Sequence, residues 1–310
     1  MTTTTPPVLP KHLMLLERGW LSSNCILGFD GAEAALIDSG YVTHAPFTDY
    51  LVGYMMGPRR LTRLINTHVH SDHMGGNALI KSRHPCTITI PAGCAERIEQ
   101  WDEDALILRP AGQSATCFDF DATLQSGDCF EFGELQWQAI AVPGHDPDML
   151  AFYNADKRTL ISGDALWQNG FGILFPALAE DRDVFNQMRR TLNTLGQLPI
   201  DLVLPGHGPA FADVDAALRI AESRLAAQEA RADRLAMHAL KALLMFRVLD
   251  VRRLQRAALG NFLAALPLFG DISRRFLNDL APDALADQLA RELVQQGALR
   301  EVDGWLQVEG

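Results

Sequence analysis

Short apolar runs separated by turn residues fill the first two-thirds of the chain, and long helical runs fill the last third. Residues 13–18, 24–29 and 33–38 read as strands, the last closed by Ser39-Gly40. A helix is expected at 47–56, a buried strand at 61–66 and a helix at 77–82 after a double glycine. A strand at 87–90 and a helix at 92–101 follow. Further strands are predicted at 130–132, 135–142, 159–162 and 202–204, with a helix at 183–195 capped by Asp181 or Asp183.

The character changes near Val214. From there to about Leu249 the chain has no Gly or Pro and is rich in Ala, Leu, Arg and Glu, which predicts one long helix or two abutting ones. Two more helices and a third at 282–296 come next. Asp303-Gly304 between two β-type runs is a hairpin signal. The expected organisation is a flexible tail at 1–12, a catalytic domain at 13–215, a linking helix at 216–249 and a small α+β domain at 250–310.

Length and composition sharpen this picture. A chain of 310 residues accommodates one large domain and a small one. The formal net charge of −11 argues against broad attraction to nucleic-acid phosphates or anionic membranes. No apolar stretch is long enough to span a bilayer, and the Thr/Pro-rich start has neither a basic n-region nor an apolar core. A cytoplasmic location is therefore expected. The five cysteines, Cys25, Cys86, Cys94, Cys117 and Cys129, lack metal-type spacing and read as reduced structural thiols.

Four places share one form: an apolar strand, a short turn and a metal-ligating residue. They lead into His68-Val69-His70-Ser71-Asp72-His73, into His145 after Pro143-Gly144, into Asp164 after Gly163, and into His207 after Pro205-Gly206. Imidazole and carboxylate suit zinc, iron or manganese. His68 and His70, two apart on extended backbone, point the same way and can share one ion. Asp72 and His73, where the chain bends towards a helix, can face a second. Gly75 and Gly76 are expected to let the backbone pass the ions without a Cβ in the way. A single histidine is usually a surface or hydrogen-bonded core residue. Five of the nine fall within these motifs, which makes that explanation untenable for the set. His12, His44, His84 and His238 lie outside and read as ordinary residues.

From about residue 13 to 215 the chain resembles the metallo-β-lactamase superfamily. The resemblance implies an α/β fold, a four-layer αββα sandwich with metals at one edge. It implies a first site of His68, His70 and His145, a second of Asp72, His73 and His207, and Asp164 bridging two divalent cations. Zinc is expected, with iron or manganese as options. The C-terminal part resembles the winged-helix domain appended to some members.

Two cations about 3.5–4 Å apart would bridge a water and lower its pKa to about 7. The hydroxide would attack a carbonyl or phosphoryl group, with Asp72 orienting it as the catalytic carboxylate. No unambiguous general acid is evident, which favours a small thioester or ester, of acyl-CoA or glutathione-thioester type. A ribonuclease or phosphodiesterase and a lactonase are the alternatives. Against the nuclease stand the scattered C-terminal charges: Arg252, Arg253, Arg256, Arg274 and Arg275 are offset by Asp250, Asp271, Asp279, Asp283 and Asp287. The C-terminal domain would cover one side of the cleft or build a homodimer contact.

Substrate determinants are less defined. The loop from Ala165 to Pro176 offers Trp167, Phe171 and Phe175 as an acyl pocket, or as residues packing the loop on the sheet. Asp146 and Asp148 stand where many members carry a small hydroxyl residue and a glycine-histidine pair. They read as turn formers, as partners of the ligands, or as substrate contacts. No basic glutathione-binding motif is evident.

Overall fold

The computed structural model describes residues 7–175 and 183–308. Pro176 and Asp181, both named above, lie outside the described residues.

Two sheets face each other. The first has strand order β1-β2-β3-β4-β5-β6: Leu13–Leu16, Cys25–Asp30, Glu33–Ile37, Arg60–Ile65, Thr87–Pro91 and Ala122–Leu124. The second has order β11-β10-β9-β8-β7: Leu202–Pro205, Thr159–Gly163, Leu150–Asn154, Leu135–Ala141 and Cys129–Phe132. Ile26, Ile37 and Ile65 from the first sheet interlock with Trp137, Phe152, Ile161 and Leu204 from the second. Each such side chain stabilises the sandwich by about 1.5–3 kcal/mol relative to exposure. Helix Ala45–Met56 and helix Asn77–Arg83 pack beside the first sheet. Helix Asp183–Gly196 buries Val184, Phe185, Met188, Thr191, Leu192 and Leu195, a helical stripe, and Thr191 Oγ1 donates to the Pro143 carbonyl at 2.8 Å. This is the αββα architecture.

Within these two sheets, two strands fall outside the sequence expectations. Leu150–Asn154 is buried at every position because it lies inside a sheet covered on both faces, so it shows no polar alternation. Ala122–Leu124 is short and largely exposed, an edge strand marked by little except its pairing with Thr89–Pro91.

The described chain packs as two compact units, Met1–Asp102 with Ala115–Ala226, and Glu103–Ser114 with Ala227–Gly310. The boundaries differ from the expected ones in three ways. Residues 9–12 are not free tail, since Leu9 packs on the core and the His12 carbonyl accepts from Phe29 N at 2.9 Å. The short helix Leu108–Ala111, far upstream in sequence, packs with helix Pro267–Phe276. The linking segment takes the second of its two expected forms, abutting helices Val214–Ala230 and Ala232–Val251 parted at Arg231, but it does not serve only as a link. The second buries Leu235, Leu240, Leu243 and Leu244, so it is core of the second unit and not a spacer.

That unit also holds helices Leu259–Ala264 and Pro282–Gln295 and a three-stranded sheet. Its order is β12-β14-β13, from Arg253–Gln255, Trp305–Gln307 and Arg300–Val302. Asp303 and Gly304 have φ of 50° and 76°, the doubly left-handed turn that an Asp-Gly hairpin requires. Among the described residues no helix is long and apolar enough to cross a membrane.

Candidate metal centre

Strands β4, β8, β10 and β11 leave the sandwich at one edge. β10 and β11 run parallel, with Gly163 beside Pro205, and Gly206 N donates to the Gly163 carbonyl at 2.8 Å. Leu150 N donates to the Thr67 carbonyl at 2.9 Å, which ties the end of β4 to the opposite sheet. The four strand-end turns therefore deliver their side chains into one space. All seven residues expected to bind metal meet there.

The first cluster is His68, His70 and His145. His68 Nε2 lies 3.1 Å from His70 Nδ1, which lies 2.7 Å from His145 Nε2. His145 Nδ1–H donates to the Ile173 carbonyl at 2.7 Å, so its Nε2 carries a lone pair. Ring nitrogens this close either share a proton as N–H···N hydrogen bonds or turn their lone pairs to a cation among them. Burial, then the neighbouring His145, holds the His70 ring down at about 4, and burial with His73 holds His68 well below its ordinary value. Both rings are neutral at neutral pH, the form a metal takes.

Asp72, His73 and His207 form the second cluster. Asp72 Oδ2 lies 3.0 Å from His207 Nε2 and 3.9 Å from His73 Nε2. Buried His73 Nε2 and His207 Nδ1 have no hydrogen-bond partner among the described residues. An orphaned ring nitrogen facing two carboxylates fits a cation.

Asp164 spans the two clusters. Its Oδ2 lies 3.3 Å from His145 Nε2, and its Oδ1 lies 3.4 Å from His73 Nε2 and 3.9 Å from His207 Nε2. Trp167 Nε1–H donates to the same Oδ1 at 3.2 Å. Burial pushes this carboxyl up, but the positive field of His73 and His207 reverses that and leaves it far below the carboxylate range.

Asp38, at the end of β3, belongs to the centre although the spacing of ligands does not mark it. It accepts from Thr67 N at 2.9 Å, Thr67 Oγ1 at 2.8 Å and His73 Nδ1 at 2.8 Å. It thereby fixes the turn carrying His68 and aims His73 Nε2 inward. The one local signal is an aspartate closing an apolar strand, held at φ 57° before Ser39-Gly40.

Gly75 and Gly76 serve a different purpose from the one expected. A Cβ on Gly75 would meet Val42 N, and one on Gly76 would meet the Ser39 carbonyl, each at 2.4 Å. They allow close packing on the β3 turn, not passage beside an ion.

The other candidates separate. Trp167 packs edge-on to His207 with ring centroids 5.3 Å apart, and Phe175 packs against His70 at 5.9 Å and His145 at 6.2 Å. Phe171 is fully buried beneath the Arg224 guanidinium, 5.4 Å from its ring, so it packs the loop. Asp146 is buried, with Oδ2 3.8 Å from His70 Nε2, and its Oδ1 accepts from Asp148 N at 2.8 Å, a turn. Arg97 donates to Asp146 at 3.4 Å, to Asp148 at 2.8 Å and to Cys94 Sγ at 3.1 Å. The guanidinium thus occupies the centre of a Cys94–Asp146–Asp148 group that would otherwise suit a cation. Arg97 had no sequence signal, since it sits on an unremarkable helix far from the motifs.

Strand-end ligands at the edge of an αββα sandwich define a class of metal-binding proteins, and the chain itself places it within one family. Residues 18–207, more than half of the chain, match the Metallo-beta-lactamase superfamily, and the protein belongs to it. Among curated relatives, the hydroxyacylglutathione hydrolase of Methylococcus capsulatus is 33% identical over 142 residues, 46% of each chain. That of Rhodospirillum rubrum is 33% identical over 173 residues, 56% of this chain and 57% of the relative. The match spans about half the length of these relatives. Of solved structures, a metallo-beta-lactamase family protein from Thermus thermophilus aligns with TM-score 0.60 and 18% identity, covering 98% of this chain and all of that one. A metallo-beta-lactamase from Cronobacter sakazakii aligns with TM-score 0.54 and 21% identity over 72% of this chain and 97% of its own. At such identities the structural likeness speaks for the fold alone.

Proposed function

We propose that the protein is a hydrolase whose two clusters each hold a divalent cation, zinc first among the options, and that it cleaves a small thioester or ester. The observation that carries this reading is Asp164, which turns one carboxylate oxygen to each cluster. When bound, such cations polarise a carbonyl and acidify water into the neutral range. The chain's own residues do the rest. Asp72 is the most open carboxylate of the centre, its side chain 17% exposed against 5% for Asp164. Its Oδ2 is committed to His207 and His73, which leaves Oδ1 to take a hydrogen bond from the attacking water and hold its lone pair towards the carbonyl. Asp38 and the Ile173 carbonyl keep His73 and His145 in their tautomers.

A thiolate or an activated alkoxide leaves without a general acid, which suits a centre of metal ligands. The relatives named hydroxyacylglutathione hydrolase support an acyl-thiol substrate. The second unit is read as winged-helix-like on its helices and terminal hairpin. Its arginines support a small-molecule enzyme over a nuclease, because Arg256 pairs with Asp287 and Glu301, and Arg274 with Asp271.

Metal-loaded protein assayed against a thioester, an aryl ester, a lactone, a phosphodiester and a structured RNA tests the proposal. Thioester or ester turnover with kcat/KM of about 10⁴ M⁻¹s⁻¹ or more, and silent RNA, is the expected result. Selective RNA cleavage that survives raised salt overturns it.

A further inference from the structure

We propose that Trp20 and Trp167 form a stacking platform beside the second cluster that selects substrates carrying a flat, unsaturated or aromatic group. The hydrolase reading above is needed only for the statement that this group belongs to a substrate.

Trp20 is 63% exposed, yet it lies parallel to the ring of buried His207, with centroids 5.5 Å apart and planes 10° apart. Trp167 meets it edge-on at 5.5 Å and is itself held by its hydrogen bond to Asp164. One face of the Trp20 indole is therefore taken by the histidine, while much of the ring remains open to solvent.

Such a residue on a loose loop would mean little, but this turn is pinned to the centre. Ser23 N donates to the Asp72 carbonyl at 2.9 Å, and Asn24 N donates to the Gly206 carbonyl at 2.7 Å. The Asn24 side chain bonds the Pro205 carbonyl at 2.9 Å and the Gly208 carbonyl at 2.7 Å, and its Oδ1 accepts from Arg18 N at 2.9 Å. The indole is thus fixed by the same two segments that carry Asp72 and His207. A preorganised apolar face beside a polar reaction centre binds a flat group without the cost of ordering the side chain. Phe175 lines the first cluster, so the site is asymmetric, and the indole pair assigns the flat group to the side of His207.

Matched thioesters test the proposal. S-phenyl against S-ethyl thioacetate places a ring on the thiol side, and S-ethyl thiobenzoate against S-ethyl thioacetate places it on the acyl side. In W20A the preference for the ring-bearing member of one pair, as a ratio of kcat/KM, is expected to fall about tenfold through KM. W20F should restore most of it. Ratios equal to those of the wild type in both pairs overturn the platform.

A titration without turnover runs alongside, using the neutral probe 4-fluorobenzamide followed by ¹⁹F NMR. Its Kd is expected to weaken about tenfold in W20A at the wild-type metal content. Equal binding to both proteins, or none to the wild type, counts against the platform. A wild type that hydrolyses neither thioester nor ester but binds the probe through Trp20 refutes the hydrolase reading and sustains the platform.

Discussion

Asp164 shows how a single side chain couples two clusters. It stays an anion because His73 and His207 offset the effect of burial, and only an anion can face cations on both sides. D164A is expected to strip metal from both clusters and to lower turnover about a thousandfold or more. Elemental analysis beside kinetics checks this, and two retained metals with full turnover would contradict the bridging role. His70 makes a pH prediction for the metal-free protein. Its folded value near 4 lies below the unfolded value of about 6.5, so between them the unfolded chain binds more protons. The contribution of His70 to stability is therefore complete above about pH 6.5 and fades as the pH falls towards 4. Thermal melts of chelator-treated protein should show this decline, and H70N should flatten it. An unchanged slope in H70N would refute the assignment.

The elements act as a frame that holds rings at fixed angles. The loop leaving β10 returns its Ile173 carbonyl to His145, and it can do so because Gly172 lies under the imidazole. A Cβ at Gly172 would stand 2.5 Å from His145 Nδ1. G172A must therefore displace the ring or the loop. Metal affinity at the first cluster should drop about 10–100-fold while the second is largely retained. Competition with a chelator, following release of the two ions separately, reads the difference. Equal weakening of both ions would mean that the loop supports the centre as a whole.

At the scale of the molecule, the second unit is completed by a segment from within the first. Leu106, Leu108 and Ala111 are buried, and a Cβ on Gly112 would touch Leu266 at 2.9 Å. A chain ended after Ala226 keeps these apolar residues and loses the helix Pro267–Phe276 they pack with. It should bind the dye ANS and elute as aggregate in gel filtration. Replacing residues 103–114 in that shortened chain by a Gly/Ser linker of equal length should restore a monomer. A well-behaved shortened chain with 103–114 intact would show that the segment does not depend on the second unit.

Local pattern carried much of this protein. Strand periodicity, the turn glycines, the Asp-Gly hairpin and the four strand-end ligand motifs are properties of neighbouring residues, so they were legible without a structure. Strand Leu150–Asn154 was not, because a strand buried on both faces loses its alternation. Asp38 and Arg97 were not, because each acts through partners remote in sequence, Asp38 on His73 and Arg97 on Asp146 and Asp148. The kind of ligand and its place at a strand end were thus decided by sequence alone. The resemblance implied which side chains belong together, but their approach into two clusters, the Asp164 oxygens turned to both, and an exposed tryptophan from the turn before β2 standing over His207 were decided only by tertiary structure. The physical reason is that two facing sheets bring to one edge side chains more than a hundred residues apart. Neither short-range periodicity nor spacing encodes that approach.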